Sequence, residues 1–140
     1  MAEILRIFID SNIWFSAFYK KGPAFVLLEK CRKKKYEVVV SQLVLEEIIT
    51  NIKKKLPQKL EEMRNFLMTY PLTIVKNPKK EDVFKVRDFA HRKDTPILTV
   101  ALNYKCQYIV TGNLKDFEEK SIKRKFKLQV ISLRKASASI

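Results

Sequence analysis

The chain is expected to fold as an α/β three-layer sandwich, with helices on both faces of a five-stranded, mainly parallel sheet. Two observations predict this. Short apolar, β-branched runs alternate along the 140 residues with segments of helical period. Each run also stops at a capping or turn residue, and the next run follows only after a helix-length crossover, as parallel strands require.

Residues 5–9 form the first run, broken only by Arg6 and ending at Asp10-Ser11-Asn12, which reads as a buried strand followed by a helix start. Residues 13–34 carry helical periodicity, split by Gly22-Pro23 into a short helix and a longer one. A second strand is predicted over residues 36–40, with Ser41 as the cap of a helix over residues 42–55. In that helix Leu45, Ile48, Ile49, Ile52 and Leu56 define the core-facing stripe, which sets Glu46 on its flank and Glu47 nearly opposite, in solvent. Pro57 opens a further helix to residue 68, and residues 72–75 make a third strand. Residues 79–92 read as helical, and Pro96 suits the first turn of a helix over residues 97–104. Residues 108–110 and 128–132 supply the last two strands, with Thr111-Gly112-Asn113 a turn between them. One domain spans residues 1–135, and residues 136–140 are expected to fray.

Charge narrows the function. Lys and Arg number 29 against 15 Asp and Glu, a net +14, which points to a polyanionic partner. The two cysteines, Cys31 and Cys106, lack the paired spacing of a zinc site and read as buried thiols. His91 is the only histidine and has no nucleophile near it in sequence, which disfavours Ser-His-Asp and Cys-His catalysis. The apolar runs are strand-sized and the N-terminus lacks a secretion-signal layout, so a cytosolic protein without membrane contact is expected.

The chemistry rests with the carboxylates. Asp10 and Asp116 follow apolar strands and should emerge at the carboxyl edge of the sheet, where open α/β folds bind ligands. Glu46 and Asp94 lie near helix beginnings that follow crossovers. Taken singly, Asp10 is more simply a helix cap, Glu46 a surface residue, and Asp94 and Asp116 first-turn acids as readily as ligands. Taken together, converging carboxylates repel unless a divalent cation neutralises them, and oxygen-only ligation suits Mg²⁺ or Mn²⁺. Such an ion acidifies a bound water and stabilises charge during phosphodiester hydrolysis.

Four motifs, in order, carry a family resemblance: Ile-Phe-Ile-Asp10-Ser-Asn12-Ile-Trp; Val-Val-Ser41 followed by Leu-Glu46-Glu-Ile; Asp94-Thr-Pro-Ile-Leu ahead of Ala101; and Tyr-Ile-Val-Thr111-Gly-Asn113-Leu-Lys-Asp116-Phe. From about Glu3 to Leu133 the chain resembles the PIN-domain proteins, and within them the VapC-like toxins. The resemblance implies a metal-dependent endoribonuclease, often a homodimer, acting on single-stranded RNA and silenced by a small antitoxin. It assigns the acidic metal-binding positions to Asp10, Glu46, Asp94 and Asp116, and supporting polar positions to Asn12, Thr111 and Asn113. Many relatives carry Thr-Gly-Asp where this chain has Asn113, which removes one acidic ligand while leaving an amide oxygen. Lys53, Lys54, Lys55 and Lys115 are the candidate contacts to nucleic acid. A housekeeping RNA-processing nuclease, an RNA-binding protein without turnover, and a phosphoacceptor receiver domain are the alternatives, the last fitting the basic charge poorly.

Overall fold

The computed structural model describes residues 4–140, so Glu3 and the start of the expected domain lie outside the described residues. Strands β1 (Arg6–Ile9), β2 (Glu37–Ser41), β3 (Leu72–Val75), β4 (Tyr108–Val110) and β5 (Gln129–Ile131) form one sheet in the order β3-β2-β1-β4-β5. Every pairing is parallel, with Phe8 opposite Val39 on one side and Ile109 on the other. Because both faces are covered, the central strands do not alternate: Ile7, Phe8, Ile9, Val38, Val39, Val40, Ile109 and Val110 are all buried. The strand order reverses between β1 and β4, and the fold therefore leaves a crevice at their carboxyl ends.

Eight helices flank the sheet among the described residues: α1 (Ser11–Tyr19), α2 (Pro23–Lys33), α3 (Gln42–Lys55), α4 (Leu60–Thr69), α5 (Lys80–Lys85), α6 (Thr95–Asn103), α7 (Glu119–Phe126) and α8 (Leu133–Ser139). Helix α1 packs on α2 and α3, α2 on α8, and α3 on α4, whereas α5 packs on α6, which covers β2 and β4. The result is the expected three-layer sandwich. Trp14 anchors α1 to the sheet: it is fully buried, its indole N–H donates to the Ile9 carbonyl at 3.1 Å, and its ring meets Tyr70 edge-on. None of these helices is long and apolar enough to cross a membrane.

Three expectations need correction. Residues 57–68 open with a 3-10 turn, Pro57–Lys59, before α4 begins. Helix α5 ends at Lys85 instead of reaching residue 92, because the main chain of residues 89–91 is used elsewhere: the Glu118 amide donates to the Phe89 carbonyl and the His91 amide to the Asp116 carbonyl. The tail does not fray. Ser132 caps α8 by accepting from the Lys135 amide, and Ala136 and Ile140, four apart, are buried.

The exits from α2, α6 and α7 turn into β2, β4 and β5 on Lys35, Lys105 and Lys127, at φ of 58°, 53° and 58°. These are left-handed conformations in non-glycine residues. Cys31 and Cys106 are buried free thiols, and burial pushes them up to about 11 and about 12.

Candidate active site

The site is built on the carboxyl ends of β1 and β4. Asp10 follows β1 and is pinned there by its own amide, which donates to the Val110 carbonyl at 3.0 Å. Its side chain caps α1 by accepting from the Ser11 amide at 2.7 Å, and it accepts from the Thr111 hydroxyl at 2.9 Å. Asp10 is 3% exposed, so burial raises its pKa, while the bonds from Thr111 and Ser11 and the nearby Lys93 pull it back. Capping and site-building are thus one role at this residue.

Asp94 precedes α6, yet its side chain makes no capping bond to that helix. It is 5% exposed, and its Oδ2 is buried with no hydrogen-bond partner. Burial, then the charges of Asp10 and Asp116, raise its pKa to about 6, and a hydrogen bond shared with Asp116 acts in the same direction. Asp116 lies in a 3-10 turn, Leu114–Asp116, with Lys93 Nζ 3.6 Å from its Oδ2. The main chain draws these two acids together: the His91 amide donates to the Asp116 carbonyl at 2.6 Å, and the Asp94 amide donates to the His91 carbonyl at 2.8 Å. The His91 side chain is exposed and accepts a bond from the Lys93 amide.

The supporting positions also converge. Asn12 accepts from the Gly112 amide at 3.1 Å, and a methyl group added at Gly112 would come within 3.2 Å of the Asn12 side-chain nitrogen. A side chain at position 112 would therefore press on Asn12 and push it back by a few tenths of an ångström. Thr111 accepts from the Asn113 amide at 3.0 Å while donating to Asp10, so one hydroxyl ties the turn after β4 to the end of β1.

Helix α3 differs from expectation. Glu46 and Glu47 are both exposed, and of the two it is Glu47 whose Oε2 accepts from the Ser11 hydroxyl at 3.1 Å. The buried positions of α3 are Val44, Ile48 and Ile52, each four apart. That stripe is rotated by roughly 60° from one centred on Leu45, Ile48, Ile49, Ile52 and Leu56, which moves Glu47 to the flank and Glu46 almost to the opposite side. Lys53, Lys54 and Lys55 are exposed at the far end of α3 from its Ser41 cap, and Lys115 is exposed beside Asp116.

Sequence reasoning missed Glu47, Ser11 and Lys93. Including Val44 in the helical stripe would have found Glu47, whereas no local signal marks Lys93, whose role depends on the fold bringing residues 93 and 116 together. Chemically, the arrangement concentrates carboxylate oxygens in a buried place with a deficit of donors. Asp10, Asp94 and Asp116 are the side chains a hard cation could join, and the unpartnered Oδ2 of Asp94 fits that chemistry. Among the described residues, however, no three His, Cys, Asp or Glu side chains are already grouped closely enough to hold a metal ion.

Similar folds occur among solved structures. A chain of VapBC2 from Rickettsia felis, crystallised with a DNA fragment from its promoter, aligns over 91% of this chain and 98% of its own, with a TM-score of 0.67 and 19% identity. A toxin-antitoxin complex from Klebsiella pneumoniae aligns over 79% and 88%, with a TM-score of 0.60 and 19% identity. VapC20 from Mycobacterium tuberculosis, described as a sarcin-ricin loop cleaving toxin, aligns over 74% and 86%, with a TM-score of 0.56 and 14% identity. At such identities the likeness is one of fold. No curated protein matches the chain in sequence. Residues 6–115, from the first strand to the turn that carries Asp116, match the PIN domain, and the chain belongs to the PIN domain family.

Proposed function

We propose that this chain is a metal-dependent endoribonuclease that cleaves single-stranded RNA as the toxin of a toxin–antitoxin pair. The observation that carries the reading is the buried, unpartnered Oδ2 of Asp94 beside Asp10 and Asp116. A buried carboxylate oxygen without a donor is costly, and an Mg²⁺ or Mn²⁺ ion held by these three aspartates, with Glu47 at the rim through Ser11, removes that cost. When bound, such a cation supplies acidification of a water molecule and a counter-charge for the transition state.

The chain's own residues do the rest. Burial raises the Asp10 pKa, and the bonds from the Thr111 hydroxyl and the Ser11 amide act against that rise. Lys93 offsets the negative charge at Asp116 from 3.6 Å. Asp94, raised to about 6, ionises fully only near neutral pH when no cation is present. The net charge of +14 draws a phosphodiester strand towards an otherwise acidic crevice, with Lys115 beside it and Lys53, Lys54 and Lys55 further along α3.

Membership of the PIN domain family and the fold shared with toxin–antitoxin structures support the toxin reading. An antitoxin segment that occludes the crevice, and a homodimer as the active form, belong to the same proposal. The test is incubation of purified protein with defined single-stranded RNA and DNA, with EDTA or Mn²⁺, alongside Asp10→Asn. Mn²⁺-dependent cleavage of the RNA, lost in the variant, is expected. Failure of Mn²⁺ to restore cleavage after stripping would refute the chemistry.

A further inference from the structure

Next to the carboxylates lies a second feature that they do not explain. A cavity of about 680 Å³ is walled by Leu43 in the first turn of α3, Pro78 in the loop before α5, Val83 and Phe84 of α5, and Thr95 and Pro96 of α6. The loop before α5 is fastened to α3, because Asn77 Oδ1 accepts from the Leu43 amide at 2.9 Å. Thr95, one of the cavity's walls, follows Asp94 directly in sequence.

Phe84 stands at its edge, 62% exposed and outside the core. A single exposed apolar side chain is ordinary. The setting of this one is more specific. The Arg87 guanidinium lies 3.9 Å from the centre of its ring, and Arg87 Nη1 also donates to the Phe84 carbonyl at 2.9 Å. Arg87 therefore lies over the ring and is tied to the same residue's main chain, while Phe84 as a whole stays 62% exposed. Lys80, Arg87 and Arg92 line the cavity against one acid, Asp88.

This combination selects an occupant. A purely apolar partner would bury three cations against the single acid Asp88. A second copy of the chain would bring the same three cations face to face on a molecule already at +14. A compact anion would find charge but make no use of the exposed ring. Single-stranded RNA offers both an unstacked base for the ring and phosphates for the cations. We infer that the Phe84–Arg87 platform is a nucleobase subsite, which stacks one base beside the scissile phosphodiester while Lys80 and Arg92 hold backbone phosphates. The inference rests on the nuclease reading for its substrate, but it is a claim about binding and can be separated from cleavage.

The experiment measures binding of a labelled single-stranded RNA to Asp10→Asn protein, in which turnover is blocked, with 2-aminopurine placed at successive positions of the RNA. Phe84→Ala should weaken binding roughly tenfold, and Phe84→Trp should restore it. The 2-aminopurine should be quenched at one position with Phe84 or Trp in place and not with Ala. Arg92→Ala should reduce the salt slope by about one, whereas Phe84→Ala leaves it unchanged. Duplex RNA should not compete for the platform. Unchanged affinity and quenching in Phe84→Ala would overturn the subsite, as would failure of Trp to rescue, a change in sedimentation that reveals a second copy on this face, or absence of RNA binding by the parent protein. Circular dichroism melting confirms that these exposed-site variants are folded. Parallel cleavage assays with the unsubstituted protein separate the two claims: RNA bound on the platform without Mn²⁺-dependent cleavage refutes the nuclease alone, and cleavage with a KM indifferent to Phe84→Ala refutes the subsite alone.

Discussion

The Thr111 hydroxyl donates to Asp10 Oδ2 at 2.9 Å across 101 positions of sequence, with both residues buried. A bond of this kind to a charged group contributes about 1.5–3 kcal/mol. Thr111→Val keeps the shape, removes that bond, and strips the Asn113 amide of its acceptor. We expect a loss of about 1–3 kcal/mol in urea unfolding. Because this bond holds the Asp10 pKa down against burial, its removal raises that pKa, and the acid limb of the rate–pH profile should move to higher pH. An unmoved limb would show that Asp10 ionisation does not govern the rate.

Asp94 gives an opposite sign for stability. Its folded-state pKa, raised from 3.8 to about 6 by burial and then by Asp10 and Asp116, means that the folded chain keeps a proton the unfolded chain has released. Stability contributed by this group is therefore complete below about pH 4 and is lost as pH rises to 6. Asp94→Asn should be more stable than the parent at pH 7 in EDTA by about 1–3 kcal/mol, with the gap closing at pH 4, while cleavage is abolished. Adding Mn²⁺ should raise the melting temperature of the parent and not of the variant. A parent protein stabilised no differently from Asp94→Asn across this pH range would contradict the assignment.

The two glutamates of α3 can be separated by kinetics. Glu47→Gln should lower cleavage by roughly tenfold or more, the scale of removing a group that orients a metal site, because Glu47 reaches Ser11 next to Asp10. Glu46→Gln should stay close to the parent rate, since Glu47 and not Glu46 is the residue bonded to Ser11. The reverse order would place the helix in a different rotation from the one described.

His91 acts through its main chain. His91→Ala keeps the amide that donates to the Asp116 carbonyl and should retain activity and stability. His91→Pro removes that donor and should cost about 1–3 kcal/mol together with most of the cleavage rate. Equal behaviour of the two variants, measured by melting and initial rates, would rule out the main-chain link as what positions the acids.

These cases show where the sequence was sufficient. The strands were legible because β-branched runs such as Val38 to Val40 are buried on both faces and stop at residues that cap helices, Asp10 and Ser41. The convergence of Asp10, Asn12, Asp94, Thr111 and Asp116 followed from strand ends and from the family resemblance together. Glu47 is exposed as the sequence implied, but its bond to Ser11 was not foreseen, because omitting Val44 rotates the helical stripe. The pairing of residues 89–91 with 116–118 was invisible, since bonds between amides and carbonyls leave no mark on side-chain identity. The Ala-Ser-Ala-Ser composition of the tail concealed a helix held by Ala136 and Ile140.

The left-handed turns at Lys35, Lys105 and Lys127 all precede strands and therefore lie at the pole of the sheet remote from Asp10, each with an exposed side chain. Positive charge is consequently distributed over both poles instead of being confined to the acidic one. For the RNA substrate proposed above, such a layout would raise the frequency of collision from every direction and reduce the torque that turns the molecule before contact. Final alignment would then fall to short-range fit, after the encounter has been made.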